Sequence, residues 1–250
     1  MTLTETFKPI AVRRASDNPL LFWVRCIVDL QLLTIYKFLR EPLLLARGRL
    51  LDVGAGEAPW RDLIGSSIDY VAVDIDSSLE FGMRHQQAMQ YYDGSQLPFA
   101  DNSFDVILCT EVIEHVRNPA LFLVDLNRVL RQHGTLILTM PWSARVHHLP
   151  HDYSRFSRFG LEANLFAAHF QEIKINERGN DIAVIANKLI VLTLRLLAPR
   201  RKRHTVLTWP AAFIILPITV FLLALAHCSL ALGLGSKDDP LGYGVVAKKY

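Results

Sequence analysis

The chain is 250 residues long, enough for one sizeable α/β domain with an insertion and short for two full domains. Its apolar fraction of 51% and mean hydropathy of +0.22 lie above the usual soluble range, while a formal charge of +3 is too mild to argue for nucleic acid. The three cysteines, Cys26, Cys109 and Cys228, are far apart, form no metal-ligand spacing and point to a reducing compartment.

Residues 1–18 read as a polar, poorly ordered leader without the apolar core and cleavage site of a signal peptide. From Pro19 to Leu45 the apolar residues recur at helical spacing, with enough charges to argue against a membrane span. Two readings stay open for this helix. It packs on the domain that follows, or it lies on a membrane with Phe22, Trp23 and Tyr36 at the interface.

Strand candidates follow at Leu50–Val53, Tyr70–Val73, Val106–Thr110 and Thr135–Thr139, with a helix over Pro119–Leu130 closed by the polar turn Arg131–Gly134. Such alternation predicts a parallel sheet with helices on both faces, and ligands at the carboxyl ends of its strands. The run Arg49-Leu50-Leu51-Asp52-Val53-Gly54-Ala55-Gly56 reads as a buried strand breaking into a tight turn, where backbone can approach a nucleoside cofactor. Asp74, about 20 residues on and at a strand end, is placed to accept from ribose hydroxyls; Asp76 or Ser77 can open the next helix. Asp93-Gly94 can read an exocyclic amine while the glycine admits an adenine ring, and Glu111 and Glu114-His115 stand at the end of a central strand.

Past Pro141 a loop dense in aromatics and histidines runs from Trp142 to Phe159, followed by a helix at Gly160–His169 and a strand at Glu172–Glu177. Residues 181–199 form an apolar helix interrupted by Lys188 and Arg195, and the basic cluster Arg200–His204 comes next. Thr205–Gly235 carries no formal charge and is long enough to span a bilayer, and Tyr243–Lys248 is a last strand candidate.

Taken together, Leu51-Asp52-Val53-Gly54-Ala55-Gly56, Val73-Asp74-Ile75, Asp93-Gly94 with Leu97-Pro98-Phe99, Ser103–Ile107 and Glu111–Val116 resemble the class I S-adenosylmethionine-dependent methyltransferases, in the branch related to ubiquinone and menaquinone methyltransferases. The resemblance covers roughly residues 48–142. A weaker likeness, on Glu57–Arg61 and His151–Phe156, is to a bacterial subset found with cell-surface polysaccharide or lipid pathways. The first resemblance implies a Rossmann-like mixed seven-stranded sheet with helices on both faces and an antiparallel last strand, before which the charge-free Thr205–Gly235 would be an apolar helical insertion. It implies S-adenosyl-L-methionine as cofactor. Gly54, Ala55 and Gly56 would pass under the methionine part, with Asp52 orienting the loop. Asp74 would take the ribose, Ile75 would pack on adenine, Asp93 with the Gly94 backbone would read its amino group, and Glu111 would stand by the methionine end or the substrate entrance. The family often has a third glycine where Ala58 stands; alanine is small enough to leave the loop's approach intact.

Methyl transfer needs an acceptor held in line, and a base only if the accepting atom carries a proton. His115 and His151 are the candidate bases, with His147, His148, Asp152 and Tyr153 nearby in sequence, and Arg155 and Arg158 as candidate anchors for a substrate phosphate or carboxylate. No metal site and no nucleic-acid partner are expected; the oligomeric state stays open. The expected division is a leader over 1–18, a methyltransferase domain with its N-terminal helix over 19–180, an apolar insertion over 181–237 and the final strand over 238–250. Because a single crossing would strand the last β-strand outside, the insertion is expected to dip into one leaflet as a hairpin broken at Pro210 and Pro217, with Arg200–His204 on anionic headgroups at the cytoplasmic face. The alternative is a buried helical pair or a dimer interface. The leading reading is methyl transfer to a small, lipophilic or lipid-linked acceptor, oxygen before carbon. A nicotinamide oxidoreductase would want a third glycine where Pro59 stands, and a non-catalytic cofactor-binding membrane protein is the other alternative.

Overall fold

The computed structural model describes residues 10–84, 86–199 and 204–250. Seven strands form one sheet: β1 (Arg49–Val53), β2 (Asp69–Ile75), β3 (Met89–Tyr92), β4 (Phe104–Thr110), β5 (Leu130–Pro141), β6 (Phe170–Arg178) and β7 (Gly242–Lys249). Their order is β3-β2-β1-β4-β5-β7-β6. β1 pairs parallel with β2 and β4, and β7 runs antiparallel between β5 and β6. This is the Rossmann-like mixed sheet expected, with strand order reversing between β1 and β4. β1 and β4 read as continuous apolar runs because helices cover both faces. Leu50, Leu51, Ile107 and Leu108 are fully buried, each worth about 1.5–3 kcal/mol.

The helices are α1 (Pro19–Val28), α2 (Leu30–Leu45), α3 (Pro119–Val129), α4 (Arg158–Ala167), α5 (Asp181–Leu197) and α6 (Thr205–Leu232). α3 and α4 pack through Leu123, Leu126, Leu161 and Leu165 on one face, and α2 packs on the other through Ile35, Leu39 and Leu43. Asn118 caps α3 by accepting from Leu121 N–H, with Pro119 in the first turn where its missing donor costs nothing.

Several expectations change. The single helix over Pro19–Leu45 is two, bent by 112° at Asp29, which takes an extended backbone and accepts from Leu32 N–H to start α2. The bend divides their roles: α2 is bound to the sheet, whereas α1 buries Phe22 and Cys26 and exposes Leu20, Leu21, Trp23, Val24 and Ile27. Of the leader, residues 1–9 lie outside the described residues. The remainder is tied down, as Ser16 N–H donates to Asp62 (2.7 Å) and Arg25 reaches the Ile10 and Ala11 carbonyls. The turn at Arg131–Gly134 belongs to β5, which pairs Leu130 with Phe104 and absorbs the irregularity as a register shift before Val106.

The largest correction concerns the apolar insertion. Pro210 and Pro217 do not break it; α6 is one 28-residue helix, about 42 Å long. A proline removes one backbone bond, and packing on α5 holds the helix across the gaps. α5 and α6 form a hairpin whose ends meet at the sheet. Asn180 Nδ2 donates to Ser229 Oγ (3.1 Å) and to the Leu234 carbonyl (2.7 Å), and Ser236 N–H donates to Asp181 (3.0 Å). The chain therefore leaves and rejoins the domain at one place, and β7 reaches its slot without crossing anything. Arg200–Arg203 lie outside the described residues.

α6 is turned inside out relative to a helix in water. Its buried residues are small, Ala212, Thr219, Ala226 and Ser229, while Phe213, Ile214, Ile218, Val220, Phe221 and Leu225 are exposed. The three at seven-residue spacing face α5, where Thr193 and Thr219 share a hydrogen bond of 2.8 Å. His227 Nε2 lies 2.8 Å from the Ile27 carbonyl and joins α6 to the end of α1. α6 is long and apolar enough to cross a membrane.

Candidate functional site

β1 delivers Asp52 and then turns. Gly54 (φ +66°) donates its N–H to the Val73 carbonyl at 2.8 Å, and a Cβ there would lie 2.5 Å from Val112 Cγ2. Gly56 (φ +56°) donates to Asp74 Oδ2 at 2.9 Å, while Ile75 N–H takes Asp74 Oδ1 at 2.8 Å. Asp74 is thus fastened to the glycine turn itself. Ala58 also adopts the left-handed conformation (φ +50°), so its departure from glycine costs about 1–2 kcal/mol of backbone strain and is not the neutral swap that its size suggests.

Asp52 is buried. Tyr70 Oη donates to its Oδ2 at 2.7 Å, and Oδ1 has no hydrogen-bond partner among the described residues. Burial pushes the Asp52 carboxyl up to about 7, against the Tyr70 bond and with Asp74 adding to the rise. A folded value above the unfolded one means stability present below about pH 4 and lost as the pH climbs towards 7. Asp52→Asn should remove that slope. Thermal melts of the two chains at pH 5 and 8 should show the variant gaining on wild type at pH 8; a constant difference would refute this titration.

The ends of β2 and β3 bring the next residues together. Gly94 (φ +81°) lies against Ile75, whose Cγ2 would be 3.3 Å from an added Cβ. Asp93 is exposed and accepts from Ser95 Oγ (2.5 Å) and N–H (2.9 Å); the hydroxyl, then the backbone bond, holds its carboxyl below the usual range.

At the end of β4, Glu111 is left-handed (φ +54°), a strain that clusters at functional sites. Its N–H donates to the Thr139 carbonyl at 3.0 Å, and its carboxylate receives Arg178 Nη2 at 2.8 Å. Arg178, from the end of β6, was not anticipated. It is buried and also donates to the Tyr243 (3.1 Å) and Met140 (3.0 Å) carbonyls. Burial lowers its pKa, with Glu111 and then Glu114 opposing. A lone arginine closing a strand carries no signal in sequence; only the fold aims it at Glu111.

Beyond Glu111 the short helical turn Ile113–His115 carries Glu114 and His115 against the loop that follows β5. Glu114 is wholly buried, and neither carboxylate oxygen has a hydrogen-bond partner among the described residues. Burial, then the Glu111 charge, raises its pKa well above the usual carboxylate range. Burial lowers His115 to about 4. Its Nδ1 meets the His151 carbonyl, while the His151 ring lies between Tyr153 Oη (3.2 Å) and Glu80 (3.4 Å). The two candidate bases are neighbours but only His115 faces inward. Phe81 covers His115, His148 and His151, with ring centroids 5.2–5.6 Å apart. Arg155 and Arg158, expected as substrate anchors, are engaged: Arg155 clamps Asp152 at 2.6 and 2.9 Å, and Arg158 pairs with Glu177.

A groove of about 1090 Å³ opens elsewhere, between α2 and the sheet, lined by Lys37, Glu41, Asp105 and Lys248 among others; none of the glycine-turn, Asp74 or histidine residues lines it.

Asp52, Gly54–Gly56, Asp74, Ile75 and Gly94 therefore converge at the carboxyl ends of β1, β2 and β3, beside the β4 end at Glu111. The turn is held by side chains, Gly56 N–H donating to Asp74 and its carbonyl accepting from Gln86 Nε2 at 2.7 Å, and the buried Asp52 oxygen offers an unused acceptor. These residues fit a nucleoside cofactor with a cationic end. Residues 51–138 match the family described as methyltransferase domain. On this match, the sheet and the motif order, the segment is similar to the class I S-adenosylmethionine-dependent methyltransferases, and the residues gathered here fit S-adenosyl-L-methionine as cofactor.

Among curated relatives, it is 33% identical over 97 residues to a demethylmenaquinone methyltransferase of Renibacterium salmoninarum, covering 36% of this chain and 40% of the relative. It is 33% identical over 103 residues to a ubiquinone biosynthesis O-methyltransferase of Maricaulis maris, covering 36% and 39%. The chain thus spans about two fifths of these relatives' length. Among solved structures, one from Thermotoga maritima, described as an S-adenosylmethionine-dependent methyltransferase and possible histamine N-methyltransferase, superposes with a TM-score of 0.52 at 14% identity over 94% of this chain and 96% of that one. That likeness concerns the fold.

Proposed function

We propose that this protein transfers a methyl group from S-adenosylmethionine to a small, lipophilic or lipid-linked acceptor at the cytoplasmic face of a membrane, with oxygen the first choice of accepting atom. The carrying observation is the inverted helix α6, small residues inward and large apolar ones outward, joined to an α1 that exposes its own apolar side. Two such elements on one methyltransferase sheet favour a face that lies in a leaflet. Relatives named for quinone methylation support a lipophilic acceptor.

The division at residues 180 and 237 belongs to the same proposal, with the α5–α6 hairpin as the membrane unit. The sequence joining α5 to α6 contains Arg200, Arg201, Lys202 and Arg203. Burying such charges at a bilayer centre costs about 2.5–3.5 kcal/mol each, which favours a hairpin lying along the interface over one that plunges tip first.

The bound cofactor supplies an already activated sulfonium methyl. This chain's residues do the rest. In this reading Gly54–Gly56 and Asp52 seat the methionine end, Asp74 takes the ribose, and Ile75, Asp93 and Gly94 frame the adenine. Glu111, held by Arg178, stands by the acceptor entrance. His115 is neutral near pH 7 and accepts a proton from an acceptor hydroxyl, and His151 positions its ring through the backbone carbonyl.

The test is flotation of the full chain with vesicles, followed by incubation with methyl-labelled S-adenosylmethionine and a membrane lipid extract. The protein should float and label a lipid-phase product. A chain that stays fully soluble without detergent and labels only water-soluble compounds would refute the proposal; a dimer in detergent-free buffer would assign the apolar face to self-association.

A further inference from the structure

We propose that His115, His147 and His148, with the Glu114 carboxylate, form a binding site for a first-row divalent metal ion of the zinc class. One nitrogen of each imidazole lies within 4.8 Å of the others. Glu114 Oε1 stands 3.6 Å from His115 Nε2 and 4.0 Å from His147 Nε2. Ligand bonds of about 2.0–2.1 Å would close this set with shifts well under the size of a side chain.

Three independent features make it more than a gathering of histidines. The first is Glu114 itself. It is fully buried, both its oxygens lack a hydrogen bond among the described residues, and it points at the imidazoles. A carboxylate so placed is costly unless a proton or a cation completes it. The second is the tautomer. His115 Nδ1 is taken by the His151 carbonyl, and His147 Nδ1 lies 3.1 Å from the Arg145 carbonyl and 3.2 Å from Asp152 Oδ2. When Nδ1 carries the proton, Nε2 presents its lone pair towards Glu114. Metal-binding histidines are oriented by such outer partners. The third is that this outer shell is itself braced: Asp152 also accepts from His147 N–H at 3.0 Å and is gripped at two points by Arg155.

The donor set selects the ion. Three imidazoles and one carboxylate suit zinc, cobalt, nickel or iron, whereas magnesium and calcium want oxygen ligands. Phe81 walls one side of the rings, which limits water and strengthens charge interactions inside. The ligands come from two places about thirty residues apart in sequence, the turn after β4 and the loop after β5, so the site depends on the fold. If it is occupied, His115 is a ligand and not a proton acceptor, which would move the base to another group or to none.

Metal binding can be read without any methyl-transfer assay. The full chain in detergent, stripped with a chelator and dialysed, should bind one equivalent of Co²⁺ with the intense visible bands of a four- or five-coordinate ion, and Zn²⁺ should displace it. His147→Ala, His148→Ala and Glu114→Gln should each weaken Co²⁺ by about tenfold or more, while S-adenosylhomocysteine binding persists as proof of the folded domain. If a variant melts at the assay temperature, the Co²⁺-loaded wild type decides, with three paramagnetically shifted imidazole N–H signals expected. A wild type that develops no saturable bands, affinities unchanged in the variants, or fewer than two shifted imidazoles would overturn the assignment. Because S-adenosylhomocysteine binding is measured alongside, failure of the metal site and failure of the methyltransferase reading give different results.

Discussion

Replacing Gly54 with alanine should weaken S-adenosylhomocysteine binding by about tenfold or more. Two costs combine at this position. A non-glycine residue at φ +66° carries about 1–2 kcal/mol of left-handed strain, where 1.4 kcal/mol is a factor of ten. The added Cβ would also stand 2.5 Å from Val112 Cγ2, closer than any real contact, so either the turn or the valine must move. Val112 stands between Glu111 and the Ile113–His115 turn, and displacing it disturbs both halves of the site. Titration calorimetry measures the loss. Gly54→Ala with Val112→Ala should recover the part due to the clash and leave the part due to φ. Wild-type affinity in the single variant would show that the turn does not contact the cofactor.

Arg178→Met should cost about 3–5 kcal/mol of stability, the typical price of leaving one member of a buried ion pair alone. The loss is broader than the pair with Glu111, because the guanidinium also serves the Met140 and Tyr243 carbonyls and so fastens β5, β6 and β7 around one side chain. Glu111→Gln with Arg178→Met should lose clearly less than the two single changes added together, since no charge is then left uncompensated. Urea unfolding in detergent, read at the midpoint, checks both. A single-variant loss below about 1 kcal/mol would mean that the pair is no better than a surface contact.

Much of the geometry at the carboxyl ends of β1 and β2 was legible in the sequence because its signals are local. A strand, two glycines and an acid about twenty residues later are fixed by backbone conformation, and backbone conformation is written in neighbouring residues. β1, β2 and β4 all extend from the expected runs, and β7 takes the antiparallel slot expected for Tyr243–Lys248. β3 escaped notice because Met89–Tyr92 is four residues long and only partly apolar. The bend at Asp29 was hidden because α1 and α2 share one apolar periodicity. The two prolines misled: a local breaker rule was applied to a helix held by packing on α5.

The histidines show the same limit from the other side. Sequence named His115, His147, His148 and His151 one at a time and expected no metal, and imidazoles on separate loops have no readable spacing that would gather them. Arg178 and the aim of Glu114 were likewise out of reach.

By itself, then, the sequence determined the sheet, the glycine turn and the family resemblance, all of which rest on interactions between residues near one another in the chain. The tertiary structure alone decided that α6 runs unbroken with its large apolar residues outward, that Arg178 closes on Glu111, and that three imidazoles gather around a buried carboxylate. The physical reason is common to all three: each depends on which distant surfaces share a dry interior, and that is settled by packing and desolvation once the chain has folded.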